Sequence, residues 1–280
     1  MTQQNTPDGR LVAEQNEQSV LNWLHRFGGL TTRQLARLVW RGKSAGKRMA
    51  QRTIGRLERQ GLVLQRSLFT GGNIYVLSEG GARLLRESGT PNVSARGHRD
   101  LSFRKPMHRI IANDFLIDWR DRQIDNATPN AAIWTEFEVQ HRVAPYPEIS
   151  INGKYKIPDG MIQNDDELTW IEVENAYKGP KEIRRLMTTA ARLFNENYSY
   201  PFRHKDTEYR INRLFFILPH QSNFKTIANA ICKSNLEFNA LKCTFLIKVT
   251  VTSGLVWRGI EAVNSAYDVI QYIKEHNISL

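Results

Sequence analysis

Apolar residues recur at helical spacing from Val12 to Phe27, at Val12, Val20, Leu21, Leu24 and Phe27, before Gly28-Gly29 breaks the run. A second helix is expected from Thr31 or Thr32, either of which can cap it, with Leu35, Leu38 and Val39 on one face. A third runs from about Ala45 to Gln60 with Met49, Ile54 and Leu57 inward. L-V-L-Q-R-S-L-F then alternates as a strand, T-G-G-N turns, and N-I-Y-V-L-S returns as the other half of a hairpin. E-G-G-A-R-L-L-R-E reads as a short closing helix, and residues 1–11 as a disordered polar tail.

Residues 89–105 lose all periodicity and take the Gly, Pro, Ser and basic composition of a linker. A helix is expected from Pro106 to about Gln123, with Ile110, Ile111, Phe115 and Leu116 as its stripe. Ile133, Thr135, Phe137 and Val139 alternate with Trp134, Glu136 and Glu138, which predicts a strand over 132–140. Ile157–Ile162 and T-W-I-E-V-E-N-A form the next two strands around an N-D-D-E-L turn. Beyond them the pattern predicts a helix from Pro180, a fully buried strand I-N-R-L-F-F-I-L-P and a helix over 223–235. A strand C-T-F-L-I-K-V-T-V, a short strand L-V-W-R-G and a terminal helix over 266–276 close the chain.

Composition narrows the class. Hydrophobic residues make up 41% and aromatics 10%, which is globular, and no apolar run approaches the roughly 20 residues of a membrane helix. The first residues lack a secretory pattern, and two cysteines cannot frame a disulfide scaffold or a zinc site, so a soluble cytoplasmic protein is expected. Net charge is +11, but it is unevenly spread: residues 1–110 carry 19 Lys/Arg against 7 Asp/Glu, whereas 111–280 carry 20 against 21. A basic module joined to a near-neutral one points to a part that grips a polyanion and a second part with another task. Candidate phosphate and base contacts are Lys43, Lys47, Arg48, Arg52, Arg56 and Arg59 in and before the third helix, Arg66 on the hairpin, and Arg96, Arg99 and Arg104 in the linker. Three helices followed by a hairpin, with the phrase I-G-R-L-E-R-Q-G-L-V, resemble a winged helix-turn-helix over about residues 15–87. That resemblance implies a third helix in the DNA major groove and a wing on the backbone.

Candidate chemistry concentrates between Lys156 and Gly179. Asp159 follows a proline at one strand end, while Glu172 and Glu174, two apart, share one face of the next strand, with Ile171 and Val173 directed to a core. Oxygen donors so placed suit a hard divalent cation such as Mg2+ or Mn2+. Asp114 on the long helix, or Glu136 or Glu138, can complete the shell. His108 is read either as a phosphate or metal contact or as a half-buried helix histidine. No G-x-S-x-G elbow, phosphate loop or metal-spaced histidine cluster is present.

Residues 106–250 resemble the PD-(D/E)XK nuclease superfamily, with Pro158-Asp159 as the first motif and Glu172-x-Glu174 as the second. The resemblance implies that Asp159, Glu172 and Glu174 are catalytic and hold the metal. Glu174 stands where the family's lysine is usual, and Lys178 or Lys181 can swing back to replace that cation. Taken with M-H-R-I-I-A-N-D-F, I-P-D-G and I-E-V-E-N, most of the chain resembles the replication-relaxation family, which includes MobC-type relaxases. The expected fold is α/β (α+β): a winged helix over 12–88, then a restriction-endonuclease-like mixed sheet flanked by helices over 106–280. The expected function is an endonuclease or nickase of a mobile genetic element, acting on double-stranded DNA in plasmid mobilisation, replication or transposition. A non-catalytic DNA-binding regulator and a merely solvated carboxylate rim stay open beside it. So do homodimerisation and a transposase, relaxosome or recombinase partner.

Overall fold

The computed structural model describes residues 8–68, 71–94, 106–126, 131–147, 150–151, 154–173, 182, 200–218, 243–251 and 254–263. The chain divides into two compact units, Met1–Pro106 and Met107–Leu280, and is a mixed α/β protein.

The first unit opens on α1 (Gly9–Phe27), which begins three residues earlier than its apolar periodicity predicts. Asp8 causes this, because its carboxylate accepts from the Arg10 N–H at 2.9 Å and caps an end that has no apolar face. A two-residue strand β1 (Leu30–Thr31) leads into α2 (Thr32–Val39). Thr31 and Gln34 cap each other reciprocally, so Thr31 serves as both strand end and helix cap. α3 (Gly46–Arg59) buries Ala50, Thr53, Ile54 and Leu57, and Met49 is only half-buried. β2 (Val63–Ser67) and β3 (Asn73–Leu77) pair antiparallel, and β1 adds to the far side of β3. α4 (Glu79–Glu87) follows.

The turn between α3 and β2 is tightly specified. Leu62 N–H donates to the Leu57 carbonyl and Gly61 N–H to that of Glu58, with Gly61 at φ 69°. That is a paired C-terminal cap which needs a left-handed residue at Gly61. Ser78, the cap of α4, ties back to the same place: its hydroxyl donates to the Gly61 carbonyl at 2.5 Å and its N–H to that of Leu62 at 3.1 Å.

In the second unit α5 (Pro106–Asp125) precedes β4 (Ala131–Thr135). The strand expected over 132–140 stops at Thr135, and α6 (Glu136–Gln140) replaces its second half. Thr135 accepts from the Glu138 N–H and Glu138 accepts from the Thr135 N–H, a capping box that outweighs the alternation. Phe137, Glu138 and Val139 are all buried in succession, which does not fit the half-exposed strand that the alternation predicts.

β5 (Ser150–Ile151) and β6 (Lys154–Tyr155) form a small ladder. β7 (Gly160–Asn164) and β8 (Glu167–Val173) make a hairpin through Asp165-Asp166, with Asp165 at φ 54°. β9 (Tyr200–His204) is a hairpin partner that the apolar pattern does not predict, and β10 (Thr207–Leu218), β11 (Cys243–Val251) and β12 (Gly254–Val263) follow. The large sheet runs β12-β11-β10-β8-β7-β4 with β9 on β10; β8, β10 and β11 are parallel neighbours and the other pairings are antiparallel.

α5 packs on this sheet with Phe115 and Trp119 edge-on to Phe215. Gly160 brings the two close: a Cβ there would lie 2.9 Å from the Leu116 Cδ1 and 3.2 Å from the Trp134 carbonyl. The glycine of P-D-G is therefore a packing residue, which seats the middle of α5 over the strand that follows Asp159. The helices expected from Pro180, over 223–235 and over 266–276 lie outside the described residues.

Candidate active site

Asp159 and Glu172 lie at neighbouring points of the β7–β8 hairpin, near the carboxyl end of β8, where β8 runs parallel to β10. Open sheets with parallel strands place their ligands at such ends. Asp159 stands one residue before β7: its N–H donates to the Ile171 carbonyl at 3.0 Å, and its Oδ2 accepts from the Val173 N–H at 2.7 Å. Its other oxygen, Oδ1, lies 2.8 Å from His108 Nε2, projected from the first turn of α5.

Glu172 is 2% exposed. Both faces of β8 are buried, so the face carrying Glu172 is interior, and Trp170 shares it. The Trp170 indole N–H donates to Glu172 Oε1 at 2.7 Å. The Lys156 Nζ reaches both oxygens, at 2.7 Å from Oε1 and 2.9 Å from Oε2. The Tyr146 hydroxyl donates to the Lys156 carbonyl and its ring stands edge-on to Trp170. A solvated rim of acids is ruled out for this pair.

Electrostatics follow from the pairing. Burial would lower the His108 pKa, but the hydrogen bond and charge of Asp159, with the fields of Glu136 and Glu172, raise it above 6.5. Burial would raise Asp159, but the His108 hydrogen bond and charge, the Lys156 charge and the Val173 N–H bring its pKa below 3.8. Burial and the charge of Glu172 push the Tyr146 hydroxyl well up, so it stays a donor.

In the metal-free protein the His108–Asp159 pair therefore stabilises the fold within one window. Its contribution fades as pH falls through the depressed Asp159 pKa and again as pH rises through the raised His108 pKa. Urea unfolding in chelator across acid to alkaline pH is expected to trace that window, and Asp159→Asn to flatten it. A profile indifferent to Asp159→Asn would show that the pair contributes nothing.

The other expected site residues separate into groups. Glu174, Lys178, Lys181, Arg96, Arg99 and Arg104 lie outside the described residues. Asp114 sits on α5, six residues past His108, so about 240° around the helix and about 9 Å along it. Glu136 is engaged by Arg109 at 3.2 Å, and Glu138 is held in its capping box. Among the described residues no three His, Cys, Asp or Glu side chains group so as to hold a metal ion. The donor set of Asp159 and Glu172 fits a hard cation in kind, being oxygen-only, and Mg2+ commonly takes one or two carboxylates with waters and substrate phosphate for the rest. Lys156, which no motif marks, is the residue the spacing missed; nothing in the sequence separates it from Lys154. Tyr146, which anchors Lys156, also lines a cleft of about 320 Å3 together with Val139, Gln140, Arg142, Ala144, Ile157 and His204.

On the first unit, Lys43, Lys47, Arg48, Arg52 and Arg59 are exposed in and before α3. Arg48, Arg52, Gly55 and Arg59 fall on one face at helical spacing, and the Arg59 Nε returns to the Gly55 carbonyl at 3.1 Å. Arg56 departs from the set, because Glu17 of α1 holds its Nε at 2.8 Å and turns it to the helix bundle. The half-buried Arg66 donates to the Gln65 carbonyl on β2. Among the described residues no helix is long and apolar enough to cross a membrane.

A basic helical unit with a three-stranded sheet, followed by a mixed sheet that buries a cation-paired acid couple, defines a two-part α/β protein. The family model for replication-relaxation matches residues 21–201, a stretch that contains α2, α3, His108, Lys156, Asp159 and Glu172. The chain belongs to the replication-relaxation family, which gives it a role in the replication or mobilisation of plasmids and other mobile elements. Comparison with curated proteins and with solved structures finds no match.

Proposed function

We propose that this protein binds duplex DNA through its first unit and cuts one strand at Asp159 and Glu172, as a nickase of a mobile element. The observation that carries the reading is the pairing of two acids, Glu172 buried and Asp159 half-buried, at the carboxyl end of β8, each fixed by specific donors. The first unit supports the binding half. Its helices and hairpin follow the winged-helix order, and the face of Arg48, Arg52, Gly55 and Arg59 would enter the major groove with β2–β3 on the backbone.

At the acids, a bound Mg2+ would polarise the phosphate and activate a water. The chain's own residues then have distinct tasks: Asp159 and Glu172 would hold the ion, Val173 N–H and His108 orient Asp159, and Trp170 orients Glu172. Glu174 would serve as a further ligand or base and Lys178 or Lys181 as a phosphate contact. The cleft lined by Tyr146 has room for one nucleoside, with Arg142 at hand for its phosphate. A transposase, relaxosome or recombinase partner and a homodimer belong to this proposal.

A regulator with a silenced centre has one observation in its favour: His108 and Lys156 already neutralise both acids. Incubating supercoiled DNA from the parent element with the full chain and Mg2+ or Mn2+ separates the two. Nicking that Asp159→Asn removes, with duplex binding retained, supports the nickase; binding without nicking supports the regulator. Nicking that survives both Asp159→Asn and Glu172→Gln sinks the assignment of the site.

Gly55 offers a separate check on the binding half. Nothing lies within 4 Å of a Cβ added there, so Gly55→Ala is expected to stabilise the first unit by about 1 kcal/mol through helix propensity alone. If the face meets DNA closely, the same change weakens duplex binding. Opposite signs in thermal unfolding and in a binding titration are the expected pair of results, and unchanged affinity would move the contact elsewhere.

A further inference from the structure

Lys156 holds the place on Glu172 that a divalent cation needs. Its ammonium lies within 2.9 Å of both carboxylate oxygens, and the Trp170 indole occupies a further lone pair of Oε1. A carboxylate has about four lone-pair directions, so these donors leave little of Glu172 open. The two donors differ in freedom. Trp170 is 1% exposed and packed in the sheet, whereas the Lys156 side chain is 32% exposed on a flexible stem. The Lys156 backbone is anchored, because Tyr146 donates to its carbonyl, so the side chain can swing without moving the strand approach.

We infer that Lys156 is an internal counter-cation that keeps the acid pair closed, and that a divalent ion binds only as the ammonium leaves Glu172. This rests on reading Asp159 and Glu172 as the ion's ligands. It also answers how two acids can be buried side by side before any metal or DNA arrives: the lysine carries the compensating charge in the resting protein and yields it on loading. Released, the ammonium stays tethered next to the scissile phosphate and can neutralise it, a task the glutamate at 174 cannot perform.

Calorimetric titration of the full chain with Mn2+ at neutral pH tests the inference. Lys156→Met removes the competitor and is expected to bind the ion at least about tenfold more tightly than the wild type. Lys156→Arg keeps a cation with a bidentate fork on the carboxylate and is expected to bind more weakly than the wild type. This second variant retains the buried charge pair, so it reports even if Lys156→Met fails to fold. Equal or weaker binding by folded Lys156→Met, or equal or tighter binding by Lys156→Arg, overturns the counter-cation while Glu172→Gln still abolishes binding. Wild-type affinity in Glu172→Gln, or no binding by the wild type and Lys156→Met alike, overturns the metal assignment itself.

Discussion

Glu172→Ala is expected to destabilise the second unit by about 2–3 kcal/mol and, on the proposed function, to remove DNA cleavage while duplex binding through the first unit survives. Two donors lose their acceptor at once. The Trp170 N–H is sealed in the core and cannot find water, and an unsatisfied buried donor costs about 1–3 kcal/mol. The Lys156 ammonium is less costly to orphan, because it is a third exposed and can turn outward. The sum therefore falls below the roughly 3–5 kcal/mol typical of breaking a fully buried ion pair. Glu172→Gln should cost less, since its amide oxygen still accepts from Trp170. Removing both charges in a Lys156→Met, Glu172→Met chain should recover only the smaller, lysine part of the loss, because the Trp170 N–H still lacks an acceptor. Urea unfolding of these variants is the measurement, and a Glu172→Ala chain as stable as the wild type would mean that the lysine–glutamate pair does not form.

Gly81→Ala should be as damaging to the first unit, by about 3 kcal/mol. Gly81 lies in the first turn of α4, and a Cβ there would overlap the carbonyl oxygen of Leu62. That oxygen cannot retreat cheaply. It accepts the Ser78 N–H, Ser78 is fixed by its hydroxyl bond to Gly61, and the Gly81 N–H itself donates to the Ser78 hydroxyl. The clash is with backbone inside a closed hydrogen-bond loop, so relief requires shifting the end of α3 and the start of β2 together. A lowered thermal transition of the first unit is expected and, on the proposed function, weakened duplex binding. A variant melting with the wild type would show that α4 can slide. The contrast with Gly55, one open and one closed, is decided by surroundings and not by residue type.

Much of the first unit is legible in the sequence because its helices each bury one face. Val20, Leu21, Leu24 and Phe27 on α1, or Leu35 and Leu38 on α2, repeat at a period that only a helix satisfies. β1 escapes notice since two residues carry no period and Thr31 is already read as a cap. In the second unit the error at 136–140 has a physical origin: alternating apolar residues suit a strand, but T-E-F-E also spells a reciprocal cap, and the local hydrogen bonds prevail. The candidate site is half legible. The pairing of P-D with a downstream E-x-E is visible along the chain, but β8 is a central strand buried on both faces, so its polar positions do not reveal that Glu172 is interior. His108 and Lys156 approach from 51 and 16 residues away through tertiary folding, which no spacing rule encodes.

Three of the ion pairs in the second unit have a consequence for how the protein would find its target. His108 with Asp159, Arg109 with Glu136 and Lys156 with Glu172 each cancel across about 3 Å. At physiological salt, charges are screened beyond about 8 Å, so three tight dipoles present almost no field to an approaching duplex. The acid site itself would be electrically quiet until contact, and on the proposed function the salt dependence of association would be set largely by the cations of the first unit. On the proposed function, the protein would search with its first unit while the paired acids stay quiet, which would limit stray encounters between the centre and DNA that the first unit has not selected.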